Sequence, residues 1–424
     1  MIDFFEELKW RGFIHSSTEG VEKHFREKKV TGYIGFDPTA SSLHVGSLLP
    51  IMGLVHLQRS GHFPIAIAGG GTGMIGDPSG KTQERKLLSL EEIEANLMGI
   101  KAQLSRFLDF SAKQNPARLV NNADWLVPLS MMEFLRDTGK YFSVNEMLAK
   151  ESVRSRLENE QGMSFTEFCY ALLQSYDFVE LYKRYQCTLQ MGGSDQWGNI
   201  VAGIDLIRRT QGAEAHGIVF HLITTSTGAK FGKTESGTIW LDPQRTSPYK
   251  FYQFWYNTDD RDVSKYLRFF TLLPKEKIEE AEKEIVSSPE KRQAQKLLAR
   301  EVTRTVHGDA ALEQALKATQ IFFGGEIEGI GAEQLLDVFS DVPSVEMNKE
   351  AFSGEGVPLI EIMVAAGAAS SKGEARRLIQ GGGVYLNNRR IGDVDRKVLL
   401  EESTEGKFLV LRKGARSYFL VRLR

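Results

Sequence analysis

The sequence predicts an α/β fold with a doubly wound parallel sheet, followed by an α-helical stretch and a small α+β unit. Three observations carry this. The runs "VTGYIGF" (Val30–Phe36) and "FPIAIAG" (63–69) are short and apolar or β-branched, as buried strands are, and a helix-spaced stripe lies between them. Strand, helix and strand in so short a span make a βαβ unit, whose sheet is parallel. From Thr246 to Phe323 the spacing turns helical, and beyond residue 350 come a short helix, a capped helix and a hairpin.

Taken in order, the first strand ends at the Asp37-Pro38 turn. The next helix is expected from His44 to Ser60. Leu48, Ile51, Met52, Val55 and Leu57 give its stripe, Ser41 or Ser42 caps it, Pro50 falls in its first turns and Gly61 ends it. In "MSFTEFCYALLQSYDFVELY" (163–182), Ser164 and Glu167 form a capping box. Phe165, Phe168, Leu172, Phe178 and Val179 wrap most of that helix, so burial on nearly all sides is expected. Residues 324–350 hold seven Asp or Glu against one Lys and read as an acidic linker. In the last unit Ser371 and Glu374 cap a helix, and "GVYLNNRRI" is a hairpin turning at Asn-Asn.

A chain of 424 residues exceeds one ordinary core, so two to four domains are expected. With 42% hydrophobic and 25% charged residues it is globular, not disordered. No apolar run reaches membrane-spanning length, and the start, "MIDFFEELKW", is acidic and amphipathic, unlike a signal peptide. Two cysteines make no disulfide framework and no metal motif, which points to a reduced, cytoplasmic enzyme without a bound metal. The net charge of −2 hides a basic end: residues 351–424 carry 13 Lys or Arg against 8 Asp or Glu. A basic end on an acidic body suits a polyanionic partner.

Four stretches bear on chemistry. "TASSLHVGS" puts His44 and Gly46 where a helix N-terminus follows a strand, a natural anion site; the alternative is a capped helix with an incidental histidine. "GAKFGKTESGTIW" (228–240) offers Lys230 and Lys233 on a glycine-rich loop, suited to phosphate charge that moves during a reaction, or else simply solvated. Tyr170, Gln174 and Asp177 share one face of the helix around them, and a polar stripe on a buried helix needs polar partners or a ligand. "LQMGGSDQWGNI" has a Gly-Gly turn and an aspartate able to reach ribose hydroxyls, the alternative being an ordinary Gly-Gly-Ser turn.

In this order the stretches resemble the class I aminoacyl-tRNA synthetases, in the bacterial tyrosyl form. "HVGS" matches the signature usually written HIGH, and "KFGKT" the one written KMSKS; "YIGFDPTASSLHVGS", "GDPSGK", "SFTEF", "GGSDQWGNI" and "SPYKFYQFW" also fit. The resemblance implies a Rossmann-like catalytic domain over 1–223, with an insert of about 122–190 at a homodimer interface. It further implies a mobile signature loop and connection over 224–245 and a helical anticodon-recognition domain over 246–323. The linker 324–350 then leads to a small RNA-binding domain of ribosomal-protein type over 351–424.

The implied reaction joins L-tyrosine to ATP, expected with Mg²⁺, and then passes the tyrosyl group to tRNA. A carboxylate nucleophile is already ionised, so positioning and charge neutralisation replace a general base. By this resemblance Thr39 and His44 meet the phosphates, Lys230, Lys233 and Thr234 close over pyrophosphate, and Lys81 and Arg85 assist. Asp37, Gly46, Ser47, Gly193 and Asp195 hold adenosine, with Ser47 standing where the signature has its second histidine. Tyr33 and Asp177 take the phenol hydroxyl, and Asp77, Tyr170 and Gln174 the ammonium, supported by Asn122, Trp125 and Gln196. Arg376, Arg377, Arg389 and Arg390, on the capped helix and hairpin, are placed to grip RNA backbone, or else form a solvated basic face. Two rivals remain: the tryptophan-activating sister enzyme, against which the Tyr33 and Asp177 pair argues, and a silent RNA-binding relative, against which the presence of His44 and Lys233 argues.

Overall fold

The computed structural model describes residues 2–79, 88–158, 162–228, 231–234, 237–327, 329–414 and 417–424. Contacts divide the chain into two compact units: 1–245 with 258–298, and 246–257 with 299–424. The stretch 246–323, expected as one helical domain, is therefore shared between them. It is helical throughout its main segments, from Pro248–Tyr256 to Asp309–Phe322.

The first unit is built on a six-stranded sheet: β1 (Ile14–Ser17), β2 (Thr31–Phe36), β3 (Phe63–Ala68), β4 (Arg118–Asn121), β5 (Cys187–Gly193) and β6 (His216–Phe220), in the order β1-β6-β5-β2-β3-β4. All pairs are parallel except β1 with β6. The doubly wound expectation holds, with an antiparallel strand added at one edge. The order reverses between β2 and β5, and open α/β sheets bind ligands beyond the strand ends at such a switch point.

The helix between β2 and β3 spans Leu48–Arg59, preceded by a tight single turn, Val45–Ser47. Its apolar residues are buried all round, Leu49 and Leu54 as well as the expected stripe. Neither Ser41 nor Ser42 caps it. Ser42 Oγ instead donates to Leu43 O and accepts from Gln103 Nε2 at 2.9 Å, while His44 Nδ1 accepts the Gly46 N–H at 3.0 Å and caps the turn.

Helix Leu90–Leu104 opens with a complete capping box, Ser89 with Glu92. Asn96, Gly99 and Gln103 lie on one of its faces and hold the β2-to-helix segment. Asn96 Nδ2 donates to Pro38 O (2.9 Å) and Gln103 Oε1 accepts the Leu43 N–H (2.8 Å). A Cβ on Gly99 would stand 2.0 Å from Ser41 O.

Helix Phe165–Tyr185 carries the polar stripe. Ser164 Oγ accepts the Glu167 N–H as expected, but the Glu167 carboxylate does not complete the box. It turns to the buried guanidinium of Arg156, with contacts of 2.9 and 3.1 Å. Phe165 is 76% exposed, so the first turn lacks the all-round burial expected of it.

In the second unit, residues 324–350 are not a linker. They form helix Ala332–Val338 and strand Ser344–Met347, which pairs parallel with Ser417–Leu423 at the edge of a five-stranded sheet. Leu335, Val338 and Phe339 pack with Val410, Tyr418 and Leu420, so the apolar positions between the acids decide the structure. The Asn-Asn hairpin forms, with Asn387 and Asn388 at φ 47° and 63°.

Gly99→Ala tests the close approach beneath the His44 segment. Overpacking against backbone costs roughly 1–3 kcal/mol, which for a unit of this size is a fall in thermal midpoint of about 5 °C. Gly198→Ala, whose nearest new neighbour is 3.9 Å away, leaves the midpoint unchanged or higher.

Candidate active site

A cleft of about 500 Å³ opens beyond the strand ends at the switch point. Residues of β2 and the segment after it line one side, β5 and its following turn another, and helix Phe165–Tyr185 contributes Tyr170, Gln174 and Asp177.

Asp177 is buried at the inner end. Trp125 Nε1 donates to its Oδ1 at 2.7 Å and Asn122 Nδ2 to its Oδ2 at 2.9 Å. Burial lifts its carboxyl to about 7, against the pull of those two donors. The Asn122 amide is oriented from both ends, because its Oδ1 accepts the Gly71 N–H (2.8 Å) and its Nδ2 also reaches Thr72 Oγ1 (3.0 Å). Thr72 Oγ1 donates onward to Asp37 Oδ1, and Tyr170 OH to Asp37 Oδ2, both at 2.8 Å. One hydrogen-bonded chain thus runs from Trp125 to Tyr170.

A second chain joins Asp77, Gln196 and Gln174. Gln196 Nε2 donates to Asp77 Oδ2 (2.7 Å), its Oε1 accepts from Gln174 Nε2 (3.2 Å), and Asn199 Nδ2 donates to Gln174 Oε1 (3.0 Å). Tyr33 OH and Gln190 Oε1 are buried beside the cleft with no hydrogen-bond partner among the described residues. Burial, then the nearby Asp177, pushes the Tyr33 phenol well up, so it stays a donor. Such orphaned groups are costly unless a ligand satisfies them.

At the mouth, His44 lies beside Gly46, whose missing side chain is required: a Cβ there would stand 2.7 Å from the imidazole Cε1. The glycine admits the folded-back ring, a role the sequence did not suggest. Accepting at Nδ1 makes Nε2 the protonated nitrogen of the neutral ring.

Tyr33, Asp37, Thr39, His44, Gly46, Ser47, Asp77, Asn122, Tyr170, Gln174, Asp177, Gly193, Asp195 and Gln196 all line the cleft. Trp125 stands behind it, acting on Asp177. Lys233 is exposed in a two-residue strand, Lys233–Thr234, paired with Gly237–Thr238. Lys81, Arg85, Lys230 and the Thr234 side chain lie outside the described residues. Arg376, Arg377, Arg389 and Arg390 are exposed in the second unit, on helix Lys372–Gln380 and the hairpin. Sequence reasoning missed Thr72, Gln190, Asn199 and Trp240. Of these Gln190 left a trace, a polar residue inside the apolar strand "CTLQM".

The family model for class I tRNA synthetases of the tryptophan and tyrosine type matches residues 26–324, and one for a tyrosine–tRNA ligase C-terminal domain matches 334–421. The chain belongs to the class I tyrosyl-tRNA synthetase family. It is 56% identical over 423 residues to the tyrosine–tRNA ligase of Roseiflexus castenholzii, covering 100% of both chains. With that of Geobacillus stearothermophilus it shares 53% over 424 residues, 99% of this chain and 100% of the relative. Among solved structures, a C-terminally truncated mitochondrial tyrosyl-tRNA synthetase of Aspergillus nidulans superposes with a TM-score of 0.70 at 32% identity, over 76% of this chain and 95% of that one.

The raised carboxyl of Asp177 has a definite sign in stability. Its folded value, about 7, lies above the unfolded one, so the folded state holds the proton more tightly and loses stability as pH rises from about 4 through 7. Asp177→Asn removes that slope. The unfolding free energy of the variant from urea titration, measured against the parent's, therefore gains with pH across this window by up to a few kcal/mol and levels off above it. A difference that stays flat with pH contradicts the assignment.

Proposed function

We infer that the cleft binds tyrosine by its hydroxyl at the inner end and ATP at the mouth, as the site of a tyrosine–tRNA ligase. The observation that carries the reading is the inner end itself, where the orphaned Tyr33 hydroxyl accompanies the Asp177 carboxylate. A phenol satisfies both at once, donating to Asp177 and accepting from Tyr33. Phenylalanine leaves them unmatched at the cost of buried, unpaired polar groups. Asp77, Tyr170 and Gln174 surround the ammonium; the second hydrogen-bonded chain fixes Asp77 and Gln174, and Tyr170 is held by Asp37.

The tyrosine carboxylate then attacks the α-phosphorus of ATP. A C–O–P bond forms, the bond to the β-phosphate oxygen breaks, and pyrophosphate leaves. Thr39 and His44, donating through Nε2–H, steady the phosphates, and Lys233 with Lys230 and Thr234 meets the charge that builds on the leaving group. Lys81 and Arg85 assist from the following segment. Mg²⁺ travels with the nucleotide phosphates as part of the substrate. Asp37, Gly46, Ser47, Gly193 and Asp195 surround the nucleoside, although both Asp37 oxygens already accept hydrogen bonds. In the second step the hydroxyl at the tRNA 3′ end attacks the tyrosyl carbonyl and AMP departs. The exposed arginines of the second unit meet RNA phosphate.

A homodimer is supported by the exposed apolar residues gathered along the insert, with Met131 and Met132 72% exposed and Phe165 76%. Large apolar side chains exposed in such number along one segment favour a covering partner. Among the described residues no helix is long and apolar enough to cross a membrane, and the cytoplasm is the compartment that supplies ATP and tRNA.

Labelled pyrophosphate exchange into ATP tests the reading: exchange with tyrosine, and none with tryptophan or phenylalanine, is expected. Exchange driven by tryptophan reassigns the pocket. Lys233→Ala lowers kcat for exchange by at least about a hundredfold with little change in the KM for tyrosine, because its charge matters in the transition state. Phe165→Asp shifts the chain towards monomer in sedimentation velocity at micromolar concentration; an unchanged sedimentation coefficient places the interface elsewhere.

A further inference from the structure

The two signature segments are joined by backbone. Val45 N donates to Ile239 O at 3.0 Å, Ile239 N to Gly232 O at 3.1 Å, and Leu241 N to Leu43 O at 2.9 Å. His44 and Trp240 form an isolated antiparallel bridge between these strings of bonds. Gly232 packs so tightly on Val45 that a Cβ there would lie 2.6 Å from Val45 Cγ2. The residues just before His44, the residue just after it and the residues just before Lys233 are therefore placed relative to one another by the short stretch Ile239–Leu241.

Trp240 lies at the centre of this arrangement and on the cleft wall. The His44 ring lies T-shaped to it, with centroids 6.2 Å apart and planes at 66°. The Arg245 guanidinium carbon sits over the indole, 3.4 Å from its centroid. That guanidinium also reaches Ser41 Oγ at 3.4 Å, on the segment leading into His44. The indole thus carries a cation over its ring and an imidazole in T-shaped contact, a packing that restricts its freedom.

The imidazole is constrained in two ways among the described residues. The Gly46 N–H fixes its tautomer and ties down one edge; rotation about the remaining side-chain bonds is limited by what the ring packs against. Trp240 is one packing partner of the ring. We propose that Trp240 is a positioning residue for adenylate formation, aiming the His44 Nε2–H into the cleft and tying that aim to the register of the signature loop. This rests on the proposed role of His44 at the phosphates. Arg245 supports it by clamping the indole from outside.

The test is a double-mutant cycle on tyrosine-dependent pyrophosphate exchange in the full chain, with Trp240→Leu, His44→Ala and both together. Trp240→Leu is expected to lower kcat by about tenfold to a hundredfold, as a displaced catalytic group does, while the KM for tyrosine holds within about threefold. Trp240→Phe keeps an aromatic edge at His44 and restores most of the rate. In the His44→Ala background Trp240→Leu adds little further loss, since the residue it positions is gone. Multiplicative losses in the double variant overturn the proposal, as does a Trp240→Leu enzyme with parental kcat. If Trp240→Leu gives no cooperative thermal transition, the smaller loss of Trp240→Phe is read in the same cycle. Absence of exchange in the parent enzyme refutes the tyrosine-activation reading itself, and a His44→Ala variant as active as the parent removes the role on which Trp240 depends.

Discussion

A carboxylate taken out of water must be surrounded by donors, and Asp177 organises the inner half of the cleft by that requirement. Its two donors, Asn122 and Trp125, stand at and just beyond the end of β4, so the carboxylate ties that segment to helix Phe165–Tyr185. Orienting the Asn122 amide then dictates which atom faces Thr72, and Thr72 in turn donates to Asp37 at the end of β2. Elements that the sheet order sets apart are thereby brought into one network whose members polarise and restrain each other. The carboxyl remains near 7 in spite of its donors, so burial outweighs them and an additional donor from a ligand is favourable.

The described cleft is rich in acid groups: Asp37, Asp77, Asp177 and Asp195 line it. That is an odd lining for a nucleotide site until the parts are separated. Acids suit an ammonium, a phenol and ribose hydroxyls, all of which donate. Phosphates require the opposite, and at the mouth they would meet the donors of Thr39 and His44. The signature lysines belong to a neighbouring segment, and Lys233 is exposed there. In the proposed reaction this division lets ground-state recognition of tyrosine and stabilisation of developing phosphate charge be carried by different elements.

How far this was legible in the sequence depends on the range of the interaction involved. Tyr170, Gln174 and Asp177 were readable as one face because helical geometry fixes their relation whatever surrounds them. Asn387 and Asn388 were readable as a turn because their side chains tolerate the left-handed backbone the hairpin needs. Ser42 was misread as a cap because its partner, Gln103, is distant in sequence and only packing of helix Leu90–Leu104 brings it near. Glu167 was misread for the same reason, since a buried Arg156 outbids the local N–H. The acidic stretch 324–350 was misread because charge counting passed over Leu335, Val338 and Phe339, which are what fold it.

Trp240 belongs to the part that sequence cannot reach, and it shows why. Nothing in "GTIW" marks the tryptophan as more than an apolar residue following a polar loop. Its significance comes from an isolated bridge to His44, a pairing nearly two hundred positions away along the chain that depends on how the loop folds back against the segment leading into helix Leu48–Arg59. The two signatures are recognisable separately, each by its own few residues. What joins them is a backbone register, and register has no letter code. In the proposed reaction a fixed donor, His44, has to act together with a segment that meets charge on the leaving group. A hydrogen-bonded crossing at Ile239 with a clamped indole beside it couples the two, because the loop cannot slip by one residue without moving the imidazole.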